Sequence, residues 1–225
     1  MKRCIDCIAS KYPPAEPEAL WVAGPSKGPY RDPKSKSQAP SRNADGEALE
    51  SRNILRELSN SCSLPGRAGG SPVVLGCGPG FPITEVLVAE GLNVFGVDAP
   101  PSFVQAFRRN LPNTPVVCEA VQDSRFFDRA FDGVLAWGLM FLLCPEDQRR
   151  LIQRIADIMV PGGRLLFTSP AEPLVWNDAM TGLESRSLGA EEYRKQLSAV
   201  ALSVSSEYED EGQNHYFDAF KERIT

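Results

Sequence analysis

The stretch that most constrains this chain is residues 73–80, VVLGCGPG. Three apolar residues, Val73, Val74 and Leu75, run straight into Gly76-Cys77-Gly78-Pro79-Gly80 and then into PITEVLVAEG, whose apolar positions recur at helical spacing. Strand, tight loop and helix in that order open an alternating β/α sheet. The glycines let the main chain turn sharply and leave it bare of Cβ atoms, so a small molecule can lie against the peptide groups. The loop is expected to seat a ligand through Gly76, Cys77, Gly78 and Gly80.

Spacing narrows the choice of ligand. A dinucleotide fingerprint, G-x-G-x-x-G, would need a third glycine where this chain has Phe81, so the G-x-G-x-G pattern disfavours a pyrophosphate. A second apolar run, Val94-Phe95-Gly96-Val97, ends in Asp98, 22 residues after Gly76. A carboxylate at the tip of a second strand accepts hydrogen bonds from both hydroxyls of a ribose.

From there the rhythm continues. Strands are expected at 72–75, 93–97, 115–119, 133–136 and 164–168. Between them lie a helix from Pro82 to about Glu90 with Gly91 as its left-handed cap, and a second over 102–111 with Phe103, Phe107 and Leu111 as its buried stripe. A third, over 145–159, turns Leu151, Ile152, Ile155, Ile158 and Met159 inward and is stopped by Pro161-Gly162-Gly163. Such alternation predicts a parallel, doubly wound α/β sheet. After Pro170 the pattern breaks into a long connection, 170–190, carrying Trp176, Met180 and Leu183, as a lid over a pocket would. A last helix then leads into LSVSSEYE and NHYFDAF, two strands joined by Asp210-Glu211-Gly212 as a hairpin.

At these residues the chain resembles the class I S-adenosylmethionine-dependent methyltransferases. VVLGCGPG is similar to their first motif and VFGVDAP to the second, with FDGVLAWGLMFLL and VPGGRLLFTSP similar to later strands. The likeness runs over about residues 72–170, and more loosely to about 220. It implies a Rossmann-like, mostly parallel seven-stranded sheet whose final reversed strand lies beside strand five. It also implies S-adenosyl-L-methionine as cofactor, held by the glycine loop, Asp98 and Ala99. Adenine is expected near Gln122 or Asp123, although turns favour such residues anyway. Trp137, directly after strand four, either packs on the adenine, lines the acceptor pocket or is a core residue. Trp176, Met140 and Tyr216 are the residues expected on the acceptor side, with Met180 and His215 nearby.

Transfer of a methyl group needs an in-line attack, which proximity and desolvation largely supply; a general base is needed only for acceptors that carry a proton. His215 is the single histidine and the first candidate for that base, ahead of Asp178 and Glu211. One departure from the resembled family is Val74, where an acidic residue often stands. A second is the Pro-rich stretch in place of helices that often close over the substrate. Together these keep a second reading open, a cofactor-binding module without turnover. A nicotinamide-dependent oxidoreductase shares only the strand-loop-helix and Asp98.

Charge bears on the acceptor. The net charge is -5, and the first 46 residues hold 8 basic and 5 acidic residues against 16 and 24 in the rest. A body near -8 is a poor partner for a phosphate backbone, and no N-P-P-Y-like tetrapeptide follows strand four. Small-molecule acceptors are therefore expected, a protein side chain or terminus second, and nucleic acid not at all. Residues 1–45 carry 7 of the 19 prolines and are expected to be a disordered tail, with 46–225 as the domain and 46–59 as a lead-in helix presenting Leu49, Ile54, Leu55 and Leu58. Cys4 and Cys7 have no second ligand pair, so no metal site is expected; Cys77, Cys118 and Cys144 read as buried thiols of a reducing compartment. With no membrane-length apolar run and no signal peptide, the expected setting is cytoplasmic.

Overall fold

A four-residue strand can hold the centre of a sheet only if both its faces are covered, and β1 (Pro72–Leu75) is buried at every position. Val73 and Leu75 enter one apolar cluster and Val74 the other, so the two cores lie on opposite sides of the sheet. The computed structural model describes residues 70–178, 182–210 and 212–223. The expected tail over 1–45, the helix over 46–59, Cys4, Cys7, Cys62, Met180 and Glu211 lie outside the described residues.

The elements follow as α1 (Ile83–Ala89), β2 (Phe95–Asp98), α2 (Pro101–Asn110), β3 (Val116–Cys118), β4 (Phe131–Ala136), α3 (Pro145–Ile158), β5 (Met159–Thr168), β6 (Leu174–Asn177), β7 (Glu184–Ser187), α4 (Ala190–Ser198), β8 (Leu202–Glu209) and β9 (His215–Lys221). Seven strands form one sheet in the order β3-β2-β1-β4-β5-β9-β8. The first five are parallel, and β9 enters antiparallel between β5 and β8. The doubly wound sheet with a reversed final strand is the expected architecture. Leu87 of α1 with Val104 and Phe107 of α2 cover one face; Leu151, Ile152 and Ile155 of α3 with Tyr193 and Leu197 of α4 cover the other. Strand order reverses between β1 and β4, so a crevice opens at the carboxyl ends of these two strands.

Several local expectations are corrected. Met159 is the first residue of β5, where it pairs with Phe131, so α3 runs into its strand without a loop and Pro161-Gly162-Gly163 lies inside β5. The helix end is satisfied instead by Lys221 Nζ of β9, which donates to the carbonyls of Ala156 (2.6 Å) and Met159 (2.8 Å). The inward stripe of α2 is Val104, Ala106 and Phe107, with Phe103 and Leu111 only half-buried on its flanks. Among the cysteines Cys77 is buried, Cys144 is half-buried and Cys118 is exposed, because β3 is an edge strand; all three are free thiols.

The expected irregular lid over 170–190 contains an antiparallel hairpin, β6 with β7, in its own two-stranded sheet. Its period of two is visible in burial: Leu174 and Trp176 are half-buried while Val175, at 48% exposure, faces out. The hairpin base is fixed by a buried polar network. Tyr193 Oη donates to Gln148 Oε1 at 2.6 Å and lies 2.9 Å from Ser169 Oγ. Ser169 Oγ donates to Ser187 Oγ (3.2 Å), and Gln148 Nε2 donates to the carbonyls of Leu143 (2.9 Å) and Arg186 (2.8 Å).

Candidate active site

The glycine loop is fastened to β2 before any ligand is considered. The amides of Gly76 and Cys77 both donate to the Val97 carbonyl, at 2.9 and 3.2 Å, and Gly78 N donates to Asp98 Oδ2 at 2.6 Å. Positive φ explains two of the glycines: Gly78 sits at +55° and Gly80 at +98°. At Gly80 a Cβ would lie 2.8 Å from Leu111 Cδ1 and 3.3 Å from Phe107 Cδ2, so this glycine makes room for α2. Asn110 Nδ2, from the end of the same helix, donates to the Pro79 carbonyl at 2.9 Å.

Asp98 is buried, at 7% exposure. Burial pushes its carboxyl up from 3.8 to about 6, opposed by the amides of Gly78 and Ala99, which donate to the ionised form. Burial, and then the nearby Asp98, also holds the Cys77 thiol well above its ordinary range, so that group is an inert part of the loop. Ala99 follows at the strand tip, where its carbonyl accepts from Cys118 Sγ at 3.4 Å.

The turn after β3 is tied on both sides. Glu119 Oε2 accepts from Ser124 Oγ (2.7 Å) and Arg125 N (3.1 Å). The Arg154 guanidinium of α3, stacked 4.7 Å from the Phe126 ring, donates to the carbonyls of Val121, Gln122 and Ser124. Of the two candidates here, Asp123 is exposed and 3.9 Å from Arg150, while Gln122 is only 3% exposed. Neither Oε1 nor Nε2 of Gln122 has a hydrogen-bond partner. Glu119, which the sequence reading passed over, is the first carboxylate past β3, and its amide donates to the Asp98 carbonyl at 2.9 Å. Its signal in the sequence was position: a charged residue directly after an apolar run.

At the carboxyl ends of β4 and β5, Trp137 is half-buried and its Nε1–H donates to Tyr216 Oη at 3.3 Å. Gly138 N donates to Thr168 Oγ1 at 2.8 Å, and Leu139 packs on Gly76, its Cδ1 lying 3.3 Å from where a Cβ would be. The segment after β4 therefore touches the glycine loop. Met140 is fully buried in the core beneath it. Trp176 stands apart on β6, its ring 5.4 Å from that of Phe141. His215 is on the strand face opposite Tyr216: its ring meets Phe217 edge-on at 4.8 Å, with Nε2 3.2 Å from Glu207 and Nδ1 3.5 Å from Glu209. Asp178 directly follows β6, and its amide donates to the Leu183 carbonyl at 2.8 Å. The structure thus brings together the loop, Asp98, Ala99 and the segment after β4; Met140 is enclosed in the core, Trp176 lies on the hairpin against Phe141, and His215 faces Glu207 and Glu209 of β8. Among the described residues no group of His, Cys, Asp or Glu is placed to hold a metal ion, and no helix is long and apolar enough to cross a membrane.

Comparison with known proteins agrees with this geometry. The family described as "Methyltransferase domain" matches residues 73–163. An uncharacterized methyltransferase of Mycobacterium tuberculosis is 34% identical over 106 residues, 46% of this chain and 38% of that protein. Aklanonic acid methyltransferase DauC of Streptomyces sp. is 33% identical over 105 residues, 43% of this chain and 46% of that protein. The matched stretch spans less than half the length of these curated relatives. Among solved structures, Burkholderia thailandensis 1,6-didemethyltoxoflavin-N1-methyltransferase shares the fold with a TM-score of 0.58 at 18% identity, over 86% of this chain and 98% of that one. Over residues 73–163, then, the chain matches the methyltransferase-domain family, and its fold is the one seen in these solved methyltransferases.

Proposed function

We propose that the protein is an S-adenosylmethionine-dependent methyltransferase acting on a small-molecule acceptor. The observation that carries this reading is the bond from Gly78 N to Asp98, which joins a bare glycine loop to a buried carboxylate at the carboxyl edge of a parallel sheet. The residues suit the cofactor. A carboxylate has about four lone-pair directions; Asp98 spends some on the amides of Gly78 and Ala99 and keeps the rest for the two ribose hydroxyls. Gln122, a buried amide with both ends unpartnered, suits the donor and acceptor edge of adenine. Glu119 stands beside it as a further acceptor.

When bound, the cofactor supplies a methyl group on a sulfonium sulfur, which an acceptor lone pair displaces. The chain's part is to orient and to exclude water: Trp137 and Leu139 wall the crevice next to the loop, and Trp176 with Phe141 forms a second aromatic wall farther out. His215, with both nitrogens facing carboxylates of the hairpin, is left out of proton transfer in this reading. The acidic body and the named acceptors of relatives, aklanonic acid and 1,6-didemethyltoxoflavin, support a small-molecule class over a polymer.

Titration calorimetry with S-adenosylhomocysteine tests the proposal. The wild-type chain should bind, and Asp98→Ala should weaken binding by about 1.5 to 3 kcal/mol, the size of a lost charge-assisted pair of hydrogen bonds, without unfolding. Equal affinity in the two proteins would remove Asp98 from the site. A binding module without turnover is favoured by one observation, Val74 fully enclosed in the core where an acidic residue often stands in the resembled family. Labelled cofactor incubated with a small-molecule extract separates the two, since only the enzyme yields labelled product.

A further inference from the structure

Trp137 directly follows β4, two residues before the Leu139 that rests on Gly76, and it packs against the apolar cluster that holds Cys77; its indole is bonded to a distant part of the chain. Its indole N–H donates to Tyr216 Oη at 3.3 Å, 79 residues later, and the Tyr216 hydroxyl donates to Asp210 Oδ2 at 2.9 Å. Asp210 is itself fixed: Asn214 N reaches Oδ1 and Asn214 Nδ2 reaches Oδ2, both at 2.8 Å, while Asp210 N returns a bond to the Asn214 carbonyl at 3.1 Å. The Tyr216 ring has little freedom, being 4% exposed and stacked on Tyr208 with centroids 4.9 Å apart and planes 8° from parallel.

The order of donors and acceptors along this path is forced. An indole nitrogen only donates and a carboxylate only accepts, so the phenol between them must accept from one and donate to the other. Burial and the Asp210 charge hold the phenol far above its ordinary range, so its proton stays in place throughout the working pH of the protein.

We propose that Tyr216 and Asp210 are positioning residues, which hold the Trp137 indole in one orientation at the mouth of the crevice through a directed chain of hydrogen bonds. The inference rests on the methyltransferase reading above, because it gives Trp137 a place beside the cofactor and the acceptor. The turn between β8 and β9 is then part of the active-site architecture, joined to Trp137 through Tyr216. Neighbouring contacts carry the effect to the loop: Gly138 is bonded to Thr168, the partner of Tyr216 across β5 and β9, and Leu139 rests on Gly76.

The test uses the full chain labelled with 15N-tryptophan. Of three indole N–H resonances, Trp137→Phe identifies the relevant one by deleting it. Tyr216→Phe keeps the ring and its stacking but removes the acceptor, so the Trp137 indole proton should exchange faster with water and its resonance should move. Asp210→Asn should move it in the same sense without touching the indole. For S-adenosylhomocysteine, Tyr216→Phe should raise Kd about three- to tenfold, the value of one hydrogen bond, with cooperative melting retained. The double variant Trp137→Phe/Tyr216→Phe should bind no more weakly than Trp137→Phe alone, within about twofold, because Tyr216 acts through the indole. An unmoved resonance in Tyr216→Phe, or losses that add in the double variant, overturns the proposal. A wild-type chain that binds no S-adenosylhomocysteine overturns the methyltransferase reading instead, while the indole resonance still decides whether the chain of bonds orients the ring.

Discussion

The two sides of the crevice are built from different material. On the β1–β2 side the work is done by main chain: three loop amides, the Val97 carbonyl, left-handed glycines, and one side chain, Asp98. On the β5–β9 side it is done by side chains joined over long separations, Trp137 to Tyr216 to Asp210 and Gln148 to Tyr193 to Ser169 to Ser187. Main-chain scaffolding presents the same groups whatever the neighbouring side chains are, which suits a ligand common to a whole family. Side-chain networks can be rewritten residue by residue, which suits an acceptor that differs among members.

If this division is right, substitutions on the two sides should differ in what they damage. The largest effect is expected from Gly80→Val, which forces a β-branched residue to φ +98° and drives it into Leu111 and Phe107. Binding of S-adenosylhomocysteine should vanish, and urea unfolding should show about 2 to 5 kcal/mol of lost stability. A variant that still binds as the parent does would mean the loop is not the seat.

Next is the pH dependence carried by Asp98. Its folded value, about 6, lies above the ordinary 3.8, so the native free protein holds a proton that the unfolded chain has released between those two pH values. The stabilisation from that proton is fully present below the lower value and is lost as pH rises through the upper. Ribose hydroxyls donate to the ionised form, so cofactor affinity runs the other way, falling by up to about tenfold per pH unit below 6. Asp98→Asn should flatten both curves, which calorimetry and thermal melts across pH 4.5 to 8, about the range that brackets the transition, would read. A variant with the parent's pH profile would assign the titration to another group.

On the other side, Tyr193→Phe should cost about 1 to 3 kcal/mol of stability, because it strips a partner from the buried Gln148 Oε1. Affinity for S-adenosylhomocysteine should not change; a parallel loss of both would blur the division. The smallest effect is expected from Trp176→Ala. The ring is half-buried against Phe141, so removing it should cost only about 1 kcal/mol and leave cofactor affinity intact, while lowering turnover once an acceptor is known. A loss of the size seen for core aromatics, about 3 to 5 kcal/mol, would make Trp176 packing.

The same division explains what the sequence disclosed. The glycine loop and Asp98 were legible because their geometry is decided within one strand-loop-helix and the strand tip beside it. The parallel strands and the reversed hairpin were legible from alternation and from the resemblance. Side-chain networks leave no local pattern, so the partnership of Trp137 and Tyr216 could not be read across 79 residues. Burial at element ends was equally opaque. Met140 and Cys118 sit in similar apolar runs, yet one is fully enclosed and the other exposed, because that depends on which strand lies at the sheet edge. The β6–β7 hairpin was missed because only four residues per strand carry its alternation, with Trp176 and Asn177 next to turn residues.

The insertion of β9 between β5 and β8 also bears on how the chain reaches its fold. During synthesis β5 emerges more than 45 residues before its partner, since Thr168 pairs with Tyr216. Through that interval one edge of a growing apolar sheet, carrying Leu165 and Phe167, is unpaired, and the last carbonyls of α3 wait for Lys221. An open strand edge is a template for the wrong partner, including the same segment of another nascent chain. Closure is therefore a late event in the life of each molecule, and the interval before it is when the open edge is most exposed to wrong pairing and aggregation.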